Sequence, residues 1–282
     1  MTIQAHTDEY DPADAVWRKR FSYALVLSTI ALIFLGGQVK SHEAGLAVPD
    51  WPNTFGYFMF LFPVHLMQGG IFHEHLHRLV ASGVGFMTLV FAFWCWRREP
   101  RKWVRILSYV ALAAVIVQGV LGGLTVIYLL PDPISISHGM LAQTFLLITV
   151  VLAYAHSKER RDRLSDDETA GRSPVLSAAL VLLVVVYVQL FLGATMRHME
   201  AGLAIPDFPT TAGEVVPWVN ADSVAWVNAW RDEKNWESDV ALPPVTMGQV
   251  AIHLAHRYGA VAVFVVAVWA TLHGAIHQEL GP

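Results

Sequence analysis

Six stretches of this 282-residue chain are apolar, free of Asp, Glu, Lys and Arg, and of a length that suits a membrane span. A span in lipid has to bond its own backbone, so each stretch is expected to be an α-helix. Charged residues make up only 15% of the chain, against about 25% in soluble domains. The sequence therefore predicts an all-α integral membrane protein with spans at 21–37, 79–96, 106–130, 134–155, 174–196 and 258–276.

The distribution of basic residues predicts the orientation. Lys and Arg cluster before the first span, between spans two and three, and between spans four and five. Such segments face the cytoplasm, so six spans put both termini there. No basic stripe indicates nucleic acid binding, and the single cysteine, Cys95, excludes an internal disulfide.

The chain also repeats itself. Residues 35–56 and 192–213 align without gaps and are identical at 12 of 22 positions. A second pair of segments puts Glu74, His77 and Arg78 opposite His253, His256 and Arg257. We predict two related transmembrane bundles, the first with four spans and the second incomplete with two. The predicted parts are a tail (1–20), the first bundle (21–157), a cytoplasmic linker (158–173) and the second bundle (174–282), whose long outside loop covers 197–249.

Histidines at the outer ends of the spans form the strongest candidate site. His77 lies just outside the second span, and His138 lies four residues into the fourth, so both are expected at one membrane depth. Two imidazoles on neighbouring helices can ligate one haem iron from its two faces. His256 repeats the position of His77. A buried histidine bonded to a neighbouring helix is the simpler alternative for any one of them.

Charged residues beside these histidines have two interpretations each. Arg78 and Arg257 follow the candidate ligands and are suited to bind haem propionates, or else extend to the membrane interface. Glu74 shares a helix face with His77 and is placed to move protons, or else is an acid favoured at a helix N-terminus. The repeated loops are expected to form a structural lid in which Asp50 or Asp207 caps a turn.

A zinc site is the competing interpretation of the same residues. His73, Glu74 and His77 spell the H-E-x-x-H motif of zinc proteases. The second copy, HLAH, lacks the glutamate. A short motif of this kind carries a high rate of chance matches, and a zinc enzyme would not require His138 or the repeated loops.

The assembled motifs resemble the haem A synthase family of bacterial and mitochondrial membranes. The matching pieces occur in the family's order over about residues 20–270: GGQVKSHEAGLAVPDWP, EHLHR (74–78), QGVLGGLTV (118–126), SHGMLAQ (137–143), AGLAIPDFP and HLAHR (253–257). The resemblance implies an oxidoreductase that converts haem O to haem A by successive hydroxylations of a ring methyl, supplying terminal oxidases. It further implies a location in the bacterial plasma membrane.

The resemblance also implies roles for particular residues. His77 and His138 correspond to the histidine pair at the reacting haem, Glu74 to a functionally important glutamate, and His256 to a ligand of a haem b in the second bundle. Haem O is the implied substrate and haem A the product. The electron donor is unidentified, and contacts with the haem O-producing enzyme, with oxidase assembly and with a second copy of the chain stay open.

Two departures from the family pattern affect these expectations. Val48 and Thr54 stand where some bacterial members have a cysteine pair, and the last two of eight spans have no counterpart in this sequence. The second departure favours one alternative function, a b-type haem protein that transfers electrons or assists oxidase assembly without oxidising haem.

Overall fold

The computed structural model describes residues 12–157, 174–215, 219–235 and 243–279. Within these ranges the chain forms seven α-helices and no β-strand. The predicted linker 158–173 and His6 lie outside the described residues. The helices are α1 (Pro12–Ser41), α2 (Gly70–Arg98), α3 (Lys102–Ile127), α4 (Asp132–Ala155), α5 (Pro174–His198), α6 (Ala221–Asn235) and α7 (Met247–Glu279).

Six of the described helices, all except α6, are long and apolar enough to cross a membrane, which confirms the all-α membrane fold. Several begin well before the apolar runs that predicted them. α2 begins at Gly70 and α7 at Met247, so His77 lies within α2 rather than just outside a span. The amphiphilic helix α6, in the long outer loop, was not predicted.

The chain divides into two compact units, Met1–Glu168 and Thr169–Pro282. In the first, α1 contacts α2, α2 contacts α3, α3 contacts α4, and α4 returns to α1. The four helices thus close around a common core, whose buried apolar side chains include Leu25, Val84, Phe91, Val104 and Leu152.

A buried carboxylate joins the helix ends on the predicted cytoplasmic side of this unit. Glu99 accepts hydrogen bonds from Arg18 of α1 (2.8 Å) and from Nε of Arg101 (2.6 Å), and its Oε2 lies 3.1 Å from Nε2 of His156, just after α4. Burial acts to raise the pKa of Glu99, but the bonds with Arg101 and His156 outweigh it and hold that pKa well below its ordinary value. The cluster stabilises the ends of all four helices.

The second unit is built on one helix pair. α5 and α7 pack along each other, and the loop between them, with α6, covers the ends that this loop joins. In an 18-residue apolar stretch of each of these two helices, only 6% of the residues are buried. The corresponding share is 17–28% in the four helices of the first unit. The pair therefore leaves most of its apolar surface open within its own unit.

Candidate functional site

Each candidate histidine of the first unit packs its ring onto a glycine of the preceding helix. A Cβ added to Gly36 of α1 would lie 3.1 Å from Cε1 of His77 on α2. A Cβ added to Gly122 of α3 would lie 3.2 Å from Cε1 of His138 on α4. Glycine leaves room for the imidazole at both places, so these contacts fix the position of each ring between its two helices.

The second unit repeats this contact between α5 and α7. A Cβ on Gly193 would lie 2.9 Å from Cε1 of His256. All three histidines predicted from the sequence as ligands thus occupy the same structural position.

The ring nitrogens of the first unit fit a haem. Nδ1 of His77 and Nδ1 of His138 are buried and have no hydrogen-bond partner within the described part of the chain. A buried polar atom without a partner is rare and indicates that another group completes the site. Neutral imidazoles in an apolar bundle are standard axial ligands of haem iron, so the residues present suit this cofactor.

Arg78 fastens the outer loop to α2. Its Nη1 donates to the carbonyl oxygens of Asp50 (2.7 Å) and Asn53 (3.1 Å), and its Nη2 donates to the carbonyl of Val48 (2.9 Å) and to Glu74. Both terminal nitrogens are therefore engaged by the protein itself. We call this set of bonds the first loop clasp.

Glu74 belongs to the same clasp. Its Oε2 accepts from the backbone N–H of Val48 at 2.7 Å, and its Oε1 pairs with Arg78 one turn along α2. The carboxylate is 4% exposed, so the arginine supplies the countercharge that a buried carboxylate requires. Both oxygens are bonded, and the glutamate holds the loop as well as the arginine.

Asp50 closes the loop internally, as the sequence predicted. It accepts hydrogen bonds from the backbone N–H groups of Phe55 (2.7 Å) and Gly56 (2.8 Å). Gly56 has φ of +78°, a conformation that glycine adopts without strain. Burial acts to raise the pKa of Asp50, but these two N–H groups and the nearby Arg78 hold that pKa below its ordinary value.

The second unit reproduces the three arginine–carbonyl bonds of the clasp. Arg257 donates to the carbonyl oxygens of Asp207 (2.7 Å), Thr210 (3.1 Å) and Ile205 (3.0 Å). These are the sequence counterparts of Asp50, Asn53 and Val48. The carboxylate of Asp207 likewise accepts from the N–H groups of residues 212 and 213.

One member of the clasp differs in chemistry. His253 stands at the place of Glu74, and its Nδ1 accepts from the N–H of Ile205 at 3.2 Å. The sequence repeat aligns these two positions, but it predicts no role for His253. A neutral ring thus serves in the second unit where a carboxylate serves in the first.

The aromatic residue of each loop marks a further difference. Trp51 lies against α3, where a Cβ on Gly123 would come within 2.5 Å of its indole. Its counterpart Phe208 is 83% exposed. The first loop is held by a helix from the second half of its bundle, and the described second unit has no equivalent helix.

The remaining described histidines have local partners or lie at the surface. His75 is buried against Thr54 at 3.0 Å, and the rings of His42 and His73 stack with centroids 3.9 Å apart. No group of three or more His, Cys, Asp or Glu side chains in the described ranges is arranged to hold a metal ion. The H-E-x-x-H motif therefore lacks a third protein ligand there, which disfavours the zinc interpretation.

Comparison with known proteins agrees with the motifs. A family model described as cytochrome oxidase assembly protein, COX15-CtaA, matches residues 19–280. The haem A synthase of Shewanella oneidensis is 28% identical over 249 residues, covering 83% of this chain and 72% of that protein. The haem A synthase of Chelativorans sp. is 24% identical over 282 residues, covering 90% of this chain and 73% of the relative.

A third relative, the haem A synthase of Shouchella clausii, is 28% identical over 211 residues, covering 73% of this chain and 67% of that protein. No solved structure is significantly similar to the chain. The family match extends over nearly all of both compact units. The chain therefore belongs to the COX15-CtaA family of cytochrome oxidase assembly proteins.

Proposed function

We propose that this protein is a haem A synthase, a membrane oxidoreductase that converts a methyl group of haem O to a formyl group by successive hydroxylations. Relatives of that name align over most of the chain. The observation that carries the proposal is a histidine at the same place on each helix pair of the first unit, His77 and His138, each with a buried and unpartnered Nδ1 atom. The product, haem A, would supply terminal oxidases.

In this proposal His77 and His138 are the residues that would hold the iron of a haem in the first unit. The iron porphyrin, when bound there, supplies the redox chemistry. The chain's own contribution is to hold the two imidazoles against Gly36 and Gly122 and to surround them with an apolar bundle that excludes water. His256, in the same position on α7, is proposed as a ligand of a haem b in the second unit.

Glu74 and Arg78 contribute by fixing the loop over this site. The two Nη atoms of Arg78 are bonded to loop carbonyls and to Glu74, so we propose that it acts mainly by holding the loop. The same holds for Arg257. Propionate binding by the two arginines and proton transfer by Glu74 stay predictions. Both oxygens of Glu74 already accept hydrogen bonds, so a proton carried by Glu74 would have to displace the N–H of Val48 or the guanidinium of Arg78 from one of them.

We propose that the two units are related bundles, with four spans in the first and two in the second. The repeated clasp and the repeated glycine–histidine contact support this arrangement. The cytoplasmic placement of both termini is part of the same proposal. The electron donor, the contact with the haem O-producing enzyme and a homo-oligomer remain open predictions.

The test is expression of the full chain in bacterial membranes that contain haem O, followed by extraction and analysis of the haems. We expect haem A, or a product oxidised part of the way, with the wild-type protein. We expect neither with His77→Ala, whereas His65→Ala, an exchange in the outer loop, should behave as wild type. If the haem extracted from the wild-type protein is chemically unchanged, that result would contradict the synthase activity and favour a b-type haem protein.

A further inference from the structure

The loop between α1 and α2 exposes a group of large apolar side chains. Five of them lie close together in the sequence and are open to the surroundings: Phe58, Phe60, Leu61, Val64 and Leu66. Leu61 is 74% exposed and Val64 is 79% exposed. We call these five side chains the exposed loop patch. A concentration of exposed apolar side chains of this kind marks a surface that contacts something else.

The opposite side of the same loop packs firmly on α2. Phe62 is 6% exposed, and its ring centroid lies 5.0 Å from that of His75 and 5.7 Å from that of Tyr57. Oγ1 of Thr54 lies 3.0 Å from Nδ1 of His75. The loop is therefore fixed against the helix on one side, and the exposed loop patch is a defined surface of the fold.

The contact with His75 sets the level of the loop along α2. The charge-free run of that helix begins at Leu79, four residues after His75, which corresponds to about 6 Å along the helix axis. The headgroup region extends about 5–8 Å beyond the hydrocarbon core on each side. The loop thus packs against α2 at the level of the lipid headgroups, beside the start of the span.

The composition of the loop suits this level. No Asp, Glu, Lys or Arg occurs between Asp50 and Glu74. The corresponding part of the loop in the second unit, residues 213–235, differs because it contains six charged residues: Glu214, Asp222, Arg231, Asp232, Glu233 and Lys234. Charged side chains are costly to place in lipid. Only the loop of the first unit can therefore lie against lipid without burying a charge.

We propose that the exposed loop patch inserts into the bilayer leaflet at the histidine end of the first unit, at the boundary between headgroups and acyl chains. Apolar side chains of interfacial segments reach about 5–10 Å into this boundary. The surface continues the lipid-facing surface of α2, whose first turn exposes Phe72. Lipid would then hold the loop on one side, while the first loop clasp holds it on the other.

The backbone of the loop limits how deep it can go. Its two short turns bond some of the N–H groups, such as that of Leu61 to the carbonyl of Phe58 (2.8 Å) and that of Met67 to the carbonyl of Val64 (3.1 Å). Irregular backbone exposed to lipid does not occur within the hydrocarbon region, because its remaining polar groups would have no partner there. The side chains of the patch therefore enter the lipid, and the backbone stays among the headgroups.

The test attaches a nitroxide spin label to single cysteines in the full-length protein, reconstituted in phospholipid nanodiscs. Leu61→Cys and Val64→Cys carry the label in the exposed loop patch. Phe86→Cys, at an exposed position in the middle of α2, is the reference for lipid, and Asp232→Cys, at an exposed position of α6, is the reference for water. Cys95 is buried, and the parent protein treated with the same reagent measures its background.

Power saturation of the electron paramagnetic resonance signal compares collisions of each label with oxygen, which concentrates in lipid, and with a nickel chelate, which stays in water. At Leu61 and Val64 we expect a ratio of oxygen to nickel collisions between the high value at Phe86 and the low value at Asp232. A ratio as low as that at Asp232 would show that the patch faces water and would overturn the inference.

A second copy of the chain on the patch would also overturn the inference. It would bring the labels of two copies together and broaden their spectra by spin–spin interaction, whereas lipid leaves the labels apart. None of these results depends on haem, so the proposed function and this inference stand or fail separately.

Discussion

The two units hold their loops in the same way, but they differ in the histidines and in the helix surface that they offer to the loop. In both, an arginine on a long helix binds three carbonyl oxygens of the preceding loop, and a histidine ring packs on a glycine. Only the first unit adds α3 and α4, which bring a second histidine and a surface for Trp51. The comparison teaches that one helix pair is sufficient for the loop clasp, whereas the proposed two-histidine site draws on two pairs.

The largest expected difference between the units concerns the clasp arginines. Arg78→Met leaves the buried carboxylate of Glu74 without its countercharge, which should lower the free energy of unfolding by about 3–5 kcal/mol. Arg257→Met leaves a histidine in that place, and we expect a loss of about 1–3 kcal/mol from the unpaired carbonyls. Thermal unfolding in detergent measures both.

Arg98→Met, at an exposed position, controls for the loss of a positive charge and should change stability little. Equal losses in the two clasp variants would contradict the distinction between Glu74 and His253.

The next largest effect should come from the loop tryptophan, which only the first unit packs against a helix. Gly123→Ala places a methyl group within 2.5 Å of the Trp51 indole, and overpacking of this kind costs about 1–3 kcal/mol. Gly119→Ala on the same helix has open space and should be neutral or slightly stabilising. Tryptophan fluorescence and thermal unfolding would report the displacement, and matching behaviour of the two variants would argue against the packing described.

The smallest effect concerns the aspartates, where the units should agree. The pKa of Asp50 and the pKa of Asp207 are both held below the ordinary value, since backbone N–H groups outweigh the effect of burial. Their contribution is therefore present above pH 3.8 and is lost as the pH falls through the lowered pKa. Asp50→Asn and Asp207→Asn should each cost about 0.5–1 kcal/mol at neutral pH.

The aspartate variants should also lose part of the acid-dependent destabilisation that is expected of the wild type. Unfolding curves recorded between neutral and acidic pH measure this, and a pH profile unchanged by both substitutions would be the contrary result.

Much of the fold could be predicted because lipid allows few alternatives. Runs without charge located six helices, but they could not locate the true starts of α2 and α7. The outer turns of those helices carry Glu74, His77, His253 and Arg257, polar residues whose groups are used by loops and rings. Hydropathy therefore places the start of each span too late, after the polar turns that carry the candidate site residues.

The repeated positions of the candidate histidines could be anticipated from the sequence, but the hydrogen-bond partners of the charged residues beside them could not. The charge of Arg78 suits a haem propionate and a carbonyl oxygen equally. The path of the loop in the folded chain brings three carbonyl oxygens to it. The role of His253 had a signal in its alignment with Glu74. The buried cluster at Glu99 had none, because its members are far apart in the sequence.

The central claim is that His77 and His138 together form a two-histidine haem site in the first unit. Electron paramagnetic resonance of the ferric protein, purified as His138→Ala and as His256→Ala, tests it most directly. We expect the low-spin signal of a haem with two histidine ligands to survive in His256→Ala and to disappear in His138→Ala. Loss of that signal in His256→Ala together with its retention in His138→Ala would contradict the account.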